Sequence, residues 1–264
     1  MDGREGFVDI HCHLLPGIDD GAKDWEESLA MAEMAVNDGI RTIVATPHQL
    51  GNFGHNEGDT IRDLVGQIRS RLAERGIPLE VLPGADVRIE TGMIDLLRTG
   101  NVVSLGDHRR HVLLELPHEL YMPLERLIAD LGRSEMTGIL SHPERNQGIL
   151  AQPHVVRPLV EAGCLMQVTA GSLLGAFGAH VKKFSEWLVE QKLVHFISTD
   201  AHGTKARRPL MREAFGRVEQ LVGTEVATDV CCRNPAAVAA GRQVTTQAQP
   251  AKRTLRGWFA QKTG

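Results

Sequence analysis

Val8-Asp9-Ile10-His11-Cys12-His13 reads as a short apolar strand carrying two histidines one residue apart. Alternate strand residues share a face, so the imidazoles of His11 and His13 are expected to project together. Paired neutral imidazoles suit a borderline-soft divalent ion such as zinc, manganese or iron. Alone, His-x-His is as often structural as metal-binding, so its surroundings decide. Asp19 and Asp20 follow within a turn's reach, and Thr46-Pro47-His48 ends the next strand of the pattern. Together these residues point to a metal-dependent hydrolase.

The rhythm outward from this strand is alternating. Asp24 is placed to cap a helix, with Glu27 in the capping-box position, Leu29, Ala32, Val36 and Ile40 near one face, and Gly39 as the stop. Thr42–Thr46 reads as a second strand. Residues 49–59 are Gly/Asn-rich and read as a long mobile loop bordering a site. A helix with Ile61, Leu64, Val65, Ile68 and Leu72 at helical spacing follows, ending near Gly76. Further apolar strands are expected at 80–82, 112–116, 138–141, 165–168 and 194–198, with helical patterns such as 124–131 and 181–193 between them. About seven βα units in one chain favour a single α/β barrel over an open sheet. The barrel is expected over 1–244, and 245–264 changes character to a basic, aromatic tail.

Composition sets outer bounds. A chain of 264 residues, 42% hydrophobic and 23% charged, suits one α/β barrel with a sizeable core. A net charge of −4 gives no basic surface for nucleic acid. Cys12, Cys164, Cys231 and Cys232 form no CxxC pair, no secretory signal opens the chain, and no apolar run is long enough to span a bilayer. A cytoplasmic protein is expected. None of the cysteines is followed six positions on by the arginine that a cysteine-dependent phosphatase needs. P-loop, GxSxG and GxGxxG patterns are also absent. Cys12, between two histidines that share a face, should point away from them and serve packing.

The polar residues able to carry chemistry share one address. His11 and His13, His48, Asp86, Glu115, His142, and Asp200 with His202 each sit at or just after a strand end, and in a parallel barrel those ends converge. Asp20 reads equally as a turn former, and His48 as a loop residue. Glu115, in Leu113-Leu114-Glu115-Leu116-Pro117, is a carboxylate in an apolar strand that needs a cation to offset desolvation. His142-Pro143-Glu144-Arg145 joins a donor to a guanidinium able to grip an oxyanion. The other seven histidines lack this context and read as surface or core residues.

Five motifs carry a family resemblance: Asp-Ile-His-Cys-His-Leu-Leu-Pro-Gly-Ile-Asp-Asp-Gly (9–21), Ala-Thr-Pro-His (45–48), Leu-Leu-Glu-Leu-Pro (113–117), Ser-His-Pro-Glu-Arg (141–145) and Ser-Thr-Asp-Ala-His (198–202). Over nearly the whole chain the sequence resembles the polymerase-and-histidinol-phosphatase (PHP) superfamily. Within it, the sequence is most similar to the bacterial CpsB-type protein-tyrosine phosphatases of capsule and exopolysaccharide loci. The resemblance implies a distorted TIM-like (β/α)7 barrel with two or three divalent ions. Manganese is the expected metal, and iron, zinc, magnesium or cobalt are the alternatives. By motif matching, His11, His13 and Asp200 would hold the first ion and Glu115 with His142 the second, with Asp86 bridging the two. Asp20, His48 and His202 would hold the third. Arg145 and Arg207 match the arginines that contact phosphate, and His202 or a water on the metal is the candidate general acid. The bridging residue in such enzymes is typically Glu, so Asp86 is a shorter arm; Glu90, four residues on, is a poor substitute.

The implied substrate is the phosphotyrosine tail of a tyrosine kinase that controls polysaccharide export. A small-molecule phosphatase of the histidinol-phosphate kind and a non-catalytic metal-binding regulatory subunit are the competing readings. In the tail, Lys252, Arg253, Arg256 and Lys262 surround Leu255, Trp258 and Phe259. This segment reads either as a loose terminus or as a weak docking element for the inner membrane face or the membrane-anchored kinase.

Overall fold

The computed structural model describes residues 6–244; the tail expected to dock lies outside the described residues. Strand β1 (Phe7–Cys12) leads into helix α1 (Trp25–Asp38), where Asp24 accepts from Glu27 N at 2.9 Å. Glu27 itself accepts from Lys23 N at 3.3 Å, one residue before the reciprocal capping-box partner. Gly39, at φ +108°, takes the left-handed conformation that ends α1. Ile40 therefore opens β2 (Ile40–Ala45) instead of extending the helical face.

The next two strands are each broken in two. Pro47 separates β2 from β3 (His48–Gln49), and after α2 (Gly58–Arg75), Gly84 and Ala85 separate β4 (Glu80–Pro83) from β5 (Asp86–Arg88). A Cβ on Gly84 would lie 2.6 Å from Val44 Cγ1, so only glycine lets the kinked strands approach. The pairs run on through both kinks: Ala45 is opposite Pro83 and His48 opposite Asp86. Neither β3 nor β5 is evident from periodicity, because each is only two or three residues long.

Beyond α3 (Met93–Thr99) the units are regular. β6 (His111–Glu115) is followed by α4 (Glu125–Arg133), and β7 (Thr137–Ser141) by α5 (Gln147–Ala151) and α6 (Val156–Glu161). β8 (Leu165–Thr169) is followed by α7 (Ala170–Leu173) and α8 (Ala179–Glu190). β9 (Phe196–Ser198) precedes α9 (Arg212–Val222), α10 (Thr224–Thr228) and α11 (Asn234–Ala239). All strand pairs are parallel, in the orders β1-β2-β4 and β3-β5-β6-β7-β8-β9. Because β2 runs into β3 and β4 into β5, the two sheets are parts of one curved wall. Its two ends meet through a single parallel bridge, Cys12 to Ala201, flanked by Asp200 N donating to His11 O at 2.7 Å and His13 N donating to Ala201 O at 2.9 Å. The backbone bridge between the two ends of the wall thus lies beside the metal-type residues.

A bulge in β1 sets the direction of the histidines. Asp9 pairs with Ile43 and Cys12 with Ala45, three residues against two. Strict alternation would put Ile10 and Cys12 on one face. Instead Ile10 packs in the inner cluster with Val8, Leu113, Ile139, Leu165 and Phe196, while Cys12 packs in the outer one. Leu105, Val238 and Ala239 join the inner cluster.

Residues 49–59, read from composition as a mobile loop, are anchored at Gln49 and Asn56. Gln49 Nε2 donates to the carbonyls of Asn56 (2.6 Å) and Asn101 (3.0 Å), and its Oε1 accepts from Val103 N at 2.7 Å. Asn56 Nδ2 donates to Ile18 O and His48 O. These buried amides satisfy backbone groups that composition alone would leave to solvent. Among the described residues no helix is long and apolar enough to cross a membrane.

Candidate metal centre

Every side chain singled out as a donor lies on the strand-end face. His11, on β1, and His13, just after it, place their Nε2 atoms 3.2 Å apart. Each has its other nitrogen engaged: His11 Nδ1 lies 2.8 Å from Gln167 Oε1, and His13 Nδ1 lies 2.7 Å from Asp19 Oδ2. Such partners fix the tautomer and leave Nε2 as the coordinating atom. Asp19 also accepts from His48 N (3.0 Å) and Gly21 N (2.9 Å), so one carboxylate organises the whole loop after β1. Neither Asp19 nor Gln167 was given a role from sequence. The signal was present: a polar residue in the apolar run of β8, and a second Asp beside Asp20.

Asp86 lies at the centre, fully buried, with neither carboxylate oxygen hydrogen-bonded. Its Oδ2 is 3.6 Å from His11 Nε2, 3.5 Å from His48 Nδ1 and 4.0 Å from His142 Nε2. A buried, unpartnered carboxylate is costly. Burial first, then the charge of Glu115, push Asp86 well above the usual carboxylate range; Glu115 is pushed up too, mainly by burial. Burial takes His11 down to about 3. His13 is also buried, but Asp19 and Asp200 outweigh that and raise it to about 10. The donor set and the orphaned Asp86 oxygens therefore fit divalent cations.

The donors form four overlapping groups, within each of which all ligand atoms lie within 4.8 Å of one another. His13, Asp20, His48 and His202 make one, and His11, His142 and Asp200 another. Asp86 belongs to the remaining two, with His11 and His13 and with His48 and Glu115. All nine predicted donors are thus brought together, and Asp86, like His11, His13 and His48, belongs to two of the groups. The partition differs from the motif-based one in three respects: Glu115 stands with His48, its Oε2 3.7 Å from His48 Nδ1; His142 stands with His11 and Asp200; and His13 joins Asp20, His48 and His202 instead of the group of Asp200. Glu90 stays outside, accepting from Gly51 N at 3.0 Å.

Asp200 divides its two oxygens. Oδ1 faces His11 Nε2 (3.2 Å) and His13 Nε2 (3.5 Å), while Oδ2 meets Arg207 Nη2 at 2.6 Å and also Arg145 Nη2. Both arginines matched to phosphate therefore also steady a donor. The Nε atoms of Arg145 and Arg207 are buried without a hydrogen-bond partner. Backbone strain gathers here: His142, Asp200 and Arg207 adopt φ of +35°, +51° and +48°, a region L residues enter at a cost when the surroundings hold them there. Glu144, also given no role from sequence, is fully buried and accepts from Thr169 N (2.9 Å) and Ser172 Oγ (2.7 Å). It pins the β7 loop that carries His142 and Arg145 to the end of β8. Cys12 is buried, and desolvation pushes its thiol well above the ordinary range, as a packing residue requires.

Residues 7–240 match the family described as capsular polysaccharide synthesis, CpsB/CapC. The chain belongs to the CpsB/CapC family. Among curated relatives, it is 41% identical to the tyrosine-protein phosphatase YwqE of Bacillus subtilis over 83% of this chain and 87% of that one. It is 25% identical to the tyrosine-protein phosphatase CpsB of Streptococcus pneumoniae over 87% and 96%. A crystal structure from work on YwqE and CpsB, described as unique metal-dependent tyrosine phosphatases, aligns with TM-score 0.87 at 39% identity, covering 93% of this chain and all of that one. A dihydropyrimidinase from Brevibacillus agri shares the fold alone, with TM-score 0.55 at 10% identity over 93% of this chain and 74% of that one. The CpsB/CapC chain described here is accordingly a metal-dependent hydrolase on an α/β fold with parallel sheets.

Proposed function

We propose that this chain is a protein-tyrosine phosphatase that removes phosphate from the phosphotyrosine tail of a bacterial tyrosine kinase governing capsular or exopolysaccharide synthesis. The observation that carries the reading is Asp86, buried and unpartnered among eight further donors, with Arg145 and Arg207 at the edge. His11, His13 and Asp200 would hold one ion, Glu115 and His142 a second and Asp20, His48 and His202 a third, with Asp86 shared by the first two and manganese as the metal. Bound divalent cations supply Lewis-acid charge to phosphoryl oxygens and make water a nucleophile near neutral pH. Arg145 and Arg207 orient the phosphate and spread its developing charge through their remaining N–H groups. Phenolate is a fairly good leaving group, so demands on a general acid are modest, and either His202 or a water held by the metal would supply the proton.

Turnover of a phosphotyrosyl peptide and of histidinol phosphate should be compared after chelation and after manganese is restored. The peptide is expected to be the better substrate, with activity lost on chelation and regained with manganese. Cys12→Ser and iodoacetamide should leave most of it intact. Preference for histidinol phosphate would move the reading to a small-molecule phosphatase, and a metal-loaded protein without turnover would make it a regulatory subunit.

A cytoplasmic protein peripheral to the inner membrane face is the location this reading implies. The basic, aromatic stretch 248–264 supplies the contact, through cations at anionic headgroups and through Trp258 and Phe259. Deleting it should leave turnover of a small aryl phosphate unchanged and reduce low-salt co-sedimentation with anionic vesicles. Equal sedimentation of both forms would remove the docking role.

A further inference from the structure

Arg145 stands between two environments. One Nη meets Asp200 inside the donor cluster, while the guanidinium carbon lies 4.7 Å from the centre of the Phe177 ring. On the Phe177 side opens a cavity of about 520 Å³, within the range of small-molecule sites. Its wall combines apolar surface from Leu150, Ala151, Phe177 and Val181 with polar atoms of His118, Gln147 and His180, and contains no carboxylate. The wall is built from the loop after β6, from α5 and its preceding loop, and from the start of α8 with the loop before it. All of these belong to the face that carries the metal-type donors. Nearby, Asn146 Nδ2 donates to Pro117 O (2.7 Å) and Leu120 O (3.1 Å), and Gln147 N donates to His118 O (3.0 Å), so the loop carrying His118 is held against α5. The cavity is a held feature of the fold.

We infer that this cavity is the aryl subsite, which receives the phenyl ring of the phosphate ester. The inference rests on the proposed reading, in which the phosphate lies against Arg145 and the donor cluster. From that position the ester oxygen directs its substituent either to solvent or into the space bordered by Arg145. A flat apolar ring can pack on Phe177, Leu150 and Val181, and the phosphate keeps the guanidinium. A short aliphatic ester reaches the same anion site without filling the cavity. The subsite thus accounts for selection of tyrosine over serine and threonine phosphate by shape and apolar contact. The absence of a carboxylate from its wall lets the dianion approach without repulsion.

Phenylphosphonate and methylphosphonate, which share the anionic head and are not hydrolysed, separate ring from anion. Calorimetry on the manganese-loaded full chain should show phenylphosphonate binding about tenfold tighter, in line with what an apolar pocket discriminates. Ala151→Trp, at an exposed position on the cavity wall, should erase that preference and leave methylphosphonate affinity and metal content unchanged. Val181→Trp, on α8, tests the same point from a second element of the wall. A preference that survives both substitutions, or no preference in the unaltered protein, would overturn the assignment. Equal weakening of both phosphonates would also overturn it, by placing the effect on the anion site. If the aryl preference behaves as expected while histidinol phosphate outpaces the phosphotyrosyl peptide in turnover, the subsite stands and the protein-phosphatase reading falls.

Discussion

Asp86→Ala is expected to abolish turnover and metal binding together. Asp86 is the only donor that shares groups with both the His11/His13 pair and the His48/Glu115 pair, and it has no other partner to satisfy. Losing the charge stabilisation of a bridged cation is worth several kcal/mol, on the order of 10³-fold in kcat/KM. The sign of the stability effect reverses with metal content. In the chelated protein the Ala variant should melt at or above the temperature of the unaltered chain, because an unpartnered buried carboxylate costs about 1–3 kcal/mol and has been removed. With manganese present the unaltered chain should gain stability that the variant lacks. Asp86→Glu should keep turnover, its longer arm matching the usual bridging residue. Elemental analysis alongside kinetics decides the matter: full metal occupancy and activity in Asp86→Ala would show that this carboxylate holds no ion.

Arg145→Ala and Arg207→Ala are each expected to lower kcat/KM by about 10²–10³-fold, the cost of removing one donor aimed at developing oxyanion charge. Each single variant should retain its metal, because the other arginine still holds Asp200 Oδ2. The double variant should bind metal about 10–100-fold more weakly, the usual consequence of freeing a ligand from its support. His142→Ala and Glu115→Ala, by contrast, should lose metal as single changes. If Arg145→Ala alone released metal as His142→Ala does, the arginine's main duty would be to Asp200 and not to phosphate.

Much of the site was legible because coordination chemistry restricts residue type more tightly than packing does. His, Asp and Glu at the ends of apolar strands have few bland explanations, and the eight donors read in this way do converge, together with Asp20, which the family resemblance supplied. The capping Asp24 and the stop at Gly39 follow from local backbone chemistry and stand where expected. The residues given no role share a different character. Asp19, Gln167 and Glu144 act on their neighbours through one hydrogen bond or a few, to groups distant in sequence for Gln167 and Glu144, and their type alone does not say which group they hold. The anchoring of residues 49–59 escaped a reading by composition for a related reason. Gln49 and Asn56 look like loop residues until the carbonyls they serve, on Ile18 and Asn101, are brought beside them.

By itself the sequence determined the alternation of strand and helix, the parallel barrel class and the inventory of donors, because periodicity, caps and residue chemistry are local properties. Only the tertiary structure decided how those donors face. The bulge in β1 lets Ile10 fill the inner cluster while His11 and His13 still meet, and the kinks at Pro47 and Gly84 set His48 opposite Asp86. A pattern of period two carries no record of an inserted residue or a bent strand. Those depend on which neighbours crowd the chain, as Val44 crowds Gly84. The division of Asp200 between two histidines and two arginines is likewise a product of packing, since the arginines come from loops that sequence separates and the barrel brings together.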